Sequence, residues 1–139
     1  MARDGGRTST CSAADAGRRQ QRAFAFLEAA RLLVVDAETD PDLASVSAAL
    51  AVLAGIAAAD AACCGALGRR SRGQDHRQAT TLVAQIVPDG KEAAAVLKRL
   101  LDLKDEAHYG FYNVGGADLR SALRQAEKLV TFADTVLRR

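Results

Sequence analysis

The segment from Leu43 to Leu67 constrains the fold most, because it is long, apolar and composed largely of alanine. Its length raises the question of a membrane span, but it carries Asp60 in its interior. Alanine side chains lose little entropy on burial and let neighbouring helices approach closely. The segment is therefore predicted to be the central buried helix of a protein without a membrane span.

The composition of the whole chain favours helices. Hydrophobic residues make up 49% of the 139 residues and aromatic residues 4%, with no tryptophan and two prolines. A chain of this length forms one domain and can bury a core without structural disulfides or metals. Alanine-rich, aromatic-poor sequences favour helix over strand. We therefore expect an all-α, up-and-down bundle of four to five helices.

Apolar periodicity and capping signals divide the chain into helices. Five are predicted, over residues 18–35, 40–67, 75–87, 91–108 and 118–137. Residues 1–19 are rich in Gly, Ser, Thr, Ala and Arg and lack the apolar stretch of a secretory signal. We expect a disordered tail over these residues and the folded bundle over residues 20–139.

The cysteines and the net charge exclude several classes of protein. Cys63 and Cys64 are adjacent and point about 100° apart on a helix, so the three cysteines do not suit a disulfide framework or a structural zinc site. We expect buried thiols, a cytoplasmic location, and no cofactor or metal. A net charge of +2 does not by itself imply binding to nucleic acid.

The run from Lys104 to Tyr109 places ionisable residues where an apolar helical stripe continues. If residues 91–108 form one helix, Leu101, Lys104 and His108 share a face, because they are three or four positions apart. A lysine and a histidine then occupy core-like positions. They are either site residues or an amphipathic lysine and a hydrogen-bonded histidine at a helix end.

Three stretches, together with the order of the helices, carry a family resemblance. They are Ala57 to Cys63, Asp75 to Ala79 and Leu103 to Gly110. Through them most of residues 20–137 resembles the HEPN family of small bacterial helical bundles. Members typically form homodimers, and many are metal-independent ribonucleases with an arginine five to seven positions before a histidine. Other members bind without activity.

His108 matches the histidine of that motif, which is otherwise degenerate here. The arginine positions are occupied by Leu101, Asp102 and Leu103. Lys104, about 40° from His108 around the helix, is the best substitute for the arginine. Residues 107–109 also match the end of a variant motif, alanine, any residue and tyrosine, in HEPN proteins that pair with a nucleotidyltransferase.

The resemblance implies a homodimer that acts on or binds RNA, as a metal-independent endoribonuclease of toxin–antitoxin or defence type. His108 would take a proton from a ribose 2′-hydroxyl, and Lys104 would stabilise charge on the phosphate. Asp60 would hold one of them across a helix interface or be a solvated acid. Tyr109 would be a nucleotide-modification target or an amphipathic interface residue.

The resemblance also leaves other functions open. An antitoxin or a nucleotidyltransferase-like protein would be the partner in the paired systems. The alternatives to a ribonuclease are a non-catalytic HEPN module that binds a nucleotide or a partner protein, and a structural helical adaptor.

A glycine-bounded loop from Gly68 to Gly73 encloses Arg69, Arg70 and Arg72, and Arg77 follows closely. Arginine forks fit phosphates, and glycines permit close approach of the backbone. These four arginines are therefore the candidate nucleic-acid contacts, with a solvated loop as the alternative. No aromatic residue stands between them, so base stacking is not expected there.

Overall fold

The computed structural model describes residues 7–72, 76–109 and 114–139, and for residues 104–109 it describes the backbone only. This part of the chain contains five helices, Ala13–Ala37 (α1), Pro41–Leu67 (α2), Arg77–Ala84 (α3), Gly90–Tyr109 (α4) and Gly116–Arg138 (α5). Two short strands, Thr8–Thr10 (β1) and Arg69–Ser71 (β2), pair in antiparallel fashion. The predicted mainly helical fold is confirmed, with a small β-ribbon added to it.

α2 is the central helix of the bundle. Asp40 caps it by accepting hydrogen bonds from the backbone N–H groups of Asp42 and Leu43, at 3.0 and 3.3 Å. α1, α4 and α5 pack around it, so every residue from Ala54 to Cys64 is buried. By length and composition α2 could cross a membrane, but 72% of its most apolar window is buried inside the bundle.

Small residues on α2 let the other helices approach its backbone. A methyl group added at Gly55 would overlap Leu100 of α4 and Leu129 of α5, both of which are buried. On another side of α2, the hydroxyl of Ser47 donates a hydrogen bond to the carbonyl of Ala30 in α1, at 2.7 Å. The position of each surrounding helix therefore depends on how little side-chain volume α2 presents to it.

α4 runs antiparallel to α2. Leu100 lies beside Gly55, near the middle of α2. The backbone N–H of Val114, beyond the end of α4, donates to the hydroxyl of Ser45 near the start of α2, at 3.2 Å. β2 instead follows the end of α2. The end of α4 and the β-ribbon therefore lie toward opposite ends of the bundle.

The N-terminal segment differs from the expected disordered tail, because residues 7–19 have regular structure. Thr8 pairs with Ser71 in the ribbon, and α1 begins at Ala13. Ser12 and Asp15 form a capping box in which each side chain accepts a hydrogen bond from the other residue's backbone N–H. Composition could not show this order, because the strand that pairs with β1 comes from a distant part of the chain.

Cys11 and Cys64 form a disulfide, with their Cα atoms 5.4 Å apart. The expectation of buried thiols is therefore correct only for Cys63, which is free and buried. Burial, with a smaller contribution from the nearby charge of Asp60, raises the pKa of the Cys63 thiol to about 12. The sequence argument excluded a bridge between neighbouring cysteines but did not exclude a bridge from Cys11.

The close packing at Gly55 can be tested against an exposed helical glycine. Gly17→Ala should raise the free energy of unfolding by about 1 kcal/mol, because alanine has the higher helix propensity and nothing lies near the added methyl. Gly55→Ala gains the same propensity but should be less stable than Gly17→Ala by about 1–3 kcal/mol, because it overpacks the core. Urea denaturation measures both, and equal stabilities would contradict the packing.

Candidate nucleic-acid interface

The β-ribbon begins where α2 ends. Gly68 adopts the left-handed conformation with φ of 71°, and its backbone N–H donates to the carbonyl of Cys64 at 3.1 Å. Residues other than glycine are strained in this conformation. The conformation turns the chain from α2 into β2. The glycine therefore sets the direction in which Arg69 and Arg70 leave the bundle.

Strand pairing brings Arg7 to the arginines of the predicted loop. The backbone N–H of Arg72 donates to the carbonyl of Arg7 at 2.9 Å. Both residues are exposed, whereas Arg69 and Arg70 are half-buried. Arg7 was not predicted as a site residue, because its segment was assigned to the tail and no local signal marks the pairing.

The fourth predicted contact, Arg77, is the first residue of α3 and is exposed. α3 packs against β2, so this residue belongs to the same end of the bundle. The four predicted arginines are therefore brought together and joined by a fifth. We call this set the ribbon arginines: Arg7, Arg69, Arg70, Arg72 and Arg77.

The half-buried ribbon arginines also make hydrogen bonds within the protein. A guanidinium N–H of Arg69 donates to the side-chain oxygen of Gln85 at 3.3 Å. Arg70 donates to the carbonyl of Ser71 at 3.4 Å. These contacts reduce the freedom of the two side chains, so less entropy would be lost when they bind a phosphate.

Asp60 is buried near the C-terminal end of α2 and forms an ion pair with Arg19 of α1. The Arg19 Nη2–Asp60 Oδ2 distance is 2.9 Å, and the two side chains are 35% and 10% exposed. Asp60 is therefore not the solvated acid that was one of the two expectations. Arg19, its partner among the described side chains, is a residue that the sequence analysis did not single out, and the side chains of Lys104 and His108 lie outside that description.

Burial raises the pKa of Asp60 above its ordinary value, despite the opposing effects of Arg19, Arg70 and His76. Because Arg70 and His76 act to lower the pKa of Asp60, its carboxyl group lies close to the ribbon and to the start of α3. Removing Arg19 would leave an unpaired charge in the interior, which is costly. The pair therefore holds α1 against α2 below the ribbon arginines.

The predicted catalytic residues Lys104 and His108, and the supporting residue Tyr109, lie outside the described side chains. The backbone there is helical as far as Tyr109, so Lys104 and His108 lie one turn apart on one face. Because α4 is antiparallel to α2, the helical rise puts this face more than ~20 Å from the ribbon. A single chain therefore does not bring the two halves of the predicted site together.

Metal chemistry finds no support in the described ranges. Within residues 7–72, 76–109 and 114–139, leaving aside the side chains of residues 104–109, no three His, Cys, Asp or Glu residues are grouped so that they could hold a metal ion. The described features of the site are the charge of the ribbon arginines and the Arg19–Asp60 ion pair beneath them.

Comparison with known proteins found no matching family model and no similar curated protein. The HEPN resemblance accordingly stays a prediction from the sequence motifs, and the geometry of the ribbon is argued without it.

The raised pKa of Asp60 predicts how stability depends on pH. A carboxyl with a raised folded-state pKa holds its proton more tightly when folded, so its contribution is full below the ordinary value of 3.8 and is lost as pH rises through the raised value. We expect the unfolding free energy of the wild type, minus that of Asp60→Asn, to fall as pH rises above 3.8.

Asp15 provides a control of opposite sign for this measurement. Hydrogen bonds from the backbone and side chain of Ser12 lower the pKa of Asp15. The contribution of Asp15 should therefore be lost as pH falls below 3.8, and the wild-type minus Asp15→Asn difference should rise with pH. Urea titrations at several pH values measure both, and a pH-independent difference for Asp60→Asn would contradict the buried-carboxyl analysis.

Proposed function

We propose that this protein binds RNA and that the ribbon arginines contact the phosphate backbone of the RNA. The observation that carries the proposal is the pairing of β1 with β2, which joins arginines from separate stretches of the chain at one end of the bundle. A guanidinium group can donate two parallel hydrogen bonds to a phosphate, which makes arginine the side chain best suited to this contact.

The distribution of charge supports binding to a polyanion. The whole chain has a net charge of only +2, so five arginines at one end leave the rest of the molecule net negative. A molecule with one positive end is oriented by the field of a nucleic acid as it approaches. The nearby Asp60 is buried and paired with Arg19, so it does little to repel phosphates at the surface.

The chemistry of the ribbon favours backbone contacts over base recognition. β1 and β2 contain only threonine, serine and arginine. They offer no aromatic face on which a base could stack. Contacts to phosphate fix position without reading sequence. The proposed binding is therefore sensitive to salt and tolerant of RNA sequence.

Replacing two exposed ribbon arginines should weaken this binding. For Arg7→Ala/Arg72→Ala we expect affinity for a labelled RNA to fall about tenfold or more. We also expect the slope of log affinity against log salt to fall by roughly 0.7–0.9 per lost contact. Fluorescence anisotropy over a series of NaCl concentrations measures both quantities.

The matched control removes the same charge from another surface. Arg99 on α4 and Arg124 on α5 are exposed. Arg99→Ala/Arg124→Ala should leave the affinity and the salt slope near their wild-type values. Equal losses in the two double variants would show that net charge, rather than the ribbon, governs binding. A labelled DNA duplex of equal length distinguishes RNA binding from general binding to polyanions.

The ribonuclease hypothesis depends on the other end of the bundle. The helical backbone through Tyr109 is compatible with Lys104 and His108 sharing a face. A homodimer, an antitoxin or nucleotidyltransferase-like partner, and a cytoplasmic location likewise remain predictions from the sequence. RNA binding by the ribbon does not require any of them.

RNA cleavage in excess chelator tests this hypothesis. If the wild type cleaves, His108→Ala should lower the rate by about 10²–10⁴, the usual contribution of a general base. The chain has one other histidine, so His76→Ala is the matched control and should cleave normally. Full activity in His108→Ala would remove that residue from the mechanism. Binding without cleavage by the wild type would favour the non-catalytic module.

A further inference from the structure

We propose that the Cys11–Cys64 disulfide is a redox-controlled latch on the β-ribbon. When the bridge is oxidised, it holds β1, and with it Arg7, against β2. When a dithiol reductant opens the bridge, β1 separates from β2 and the protein binds RNA more weakly. The inference rests on the proposed function and concerns how that same site is regulated.

β1 has few other attachments in the described part of the chain. It packs chiefly against β2, and the two strands form a sheet of their own. A two-stranded ribbon with few residues is marginally stable in water. The disulfide begins at Cys11, directly after β1, and the N–H of Cys11 donates to the carbonyl of Gly68 at 2.9 Å. The bridge therefore supplies the covalent attachment that the short strand lacks.

The bridge closes a long loop. Cys11 and Cys64 are separated by 53 positions in the sequence. Because α1 packs extensively against α2, opening the bridge frees only the short segment before α1, which contains β1. The capping box at the start of α1 does not depend on β1, because it uses only Ser12 and Asp15. Opening the bridge should therefore release the ribbon while α1 stays on the bundle.

The third cysteine, Cys63, does not open the disulfide by thiol–disulfide exchange. Cys63 is 1% exposed, and burial raises the pKa of its thiol to about 12. The attacking species in disulfide exchange is the thiolate, which Cys63 does not supply near neutral pH. The bridge accordingly responds to an external reductant and not to rearrangement within the protein.

The reduction proceeds at the more accessible sulfur. Cys11 is half-buried, whereas Cys64 is 4% exposed. A thiolate of the dithiol attacks Cys11 Sγ, forms a mixed disulfide and expels the Cys64 thiolate, which takes up a proton. The second thiolate of the reductant then attacks the other reductant sulfur, which is bonded to Cys11 in the mixed disulfide. Cys11 leaves as a thiolate and is protonated, and the reductant becomes a cyclic disulfide.

The latch links binding to the redox state of the surroundings. Disulfides persist in oxidising compartments, whereas cysteines in the cytoplasm are kept as thiols. The ribbon would therefore be complete, and RNA affinity highest, under oxidising conditions. In the cytoplasm, which is the location predicted from the sequence, the disulfide would be reduced and RNA binding weaker until oxidation re-formed the bridge.

Amide hydrogen exchange tests the structural half of the latch. Thiol counting should give one free thiol before treatment with dithiothreitol and three after it. On reduction we expect exchange in β1 and β2 to accelerate about tenfold or more, while exchange in α5 stays unchanged. Unchanged protection of the ribbon in fully reduced protein would overturn the inference.

RNA affinity of the oxidised and reduced proteins tests the functional half. We expect the reduced protein to bind about threefold to tenfold more weakly, with a salt slope smaller by roughly one contact. Cys11→Ser should behave as reduced protein with or without dithiothreitol, and Cys63→Ala should respond as the wild type does. Arg7→Ala should bind weakly in both states and lose most of the response.

The outcomes separate the two proposals. Equal affinity of oxidised and reduced wild type would overturn the latch and leave RNA binding by the ribbon standing. Absence of RNA binding by the oxidised wild type would overturn the proposed function and the binding half of the latch together. The exchange experiment contains no RNA, so its result on the ribbon stands in either case.

Discussion

The bundle is organised by the burial of α2, whose small side chains let three other helices approach its backbone. Leu100 and Leu129 reach the position of Gly55 because no side chain occupies it. Leu100 of α4 and Leu129 of α5 occupy the space that a side chain on α2 would otherwise fill. The close approach of α4 and α5 to α2 depends on this contact.

Asp60 places a carboxyl group in the mainly apolar interior of α2, near the end that carries the ribbon. Burial disfavours the charged form of Asp60, and Arg19 partly compensates by supplying an ion pair from α1. The pair ties α1 to α2 where the strands leave the bundle. The Arg19–Asp60 pair thus lies beneath the ribbon arginines, and Arg19 offsets the negative charge of Asp60.

The two regions that the sequence marks for function are separated by the length of the bundle. The ribbon follows the C-terminal end of α2, whereas the end of α4 lies toward its N-terminal end. RNA held at the ribbon would have to extend along the bundle, or cross to a second protomer, to reach His108. The proposed RNA binding and the predicted cleavage therefore depend on opposite ends of the bundle.

The sequence by itself determined the helical class and the central place of Leu43 to Leu67, because the apolar period of a helix is a local property. It also predicted an exposed loop of arginines, whereas Arg69 and Arg70 lie half-buried in the strand β2. Tertiary structure decided the order of residues 7–19, the addition of Arg7 to that loop, the Cys11–Cys64 bridge and the partner of Asp60. Each of these joins segments far apart in the chain, and no local pattern specifies which distant segments meet.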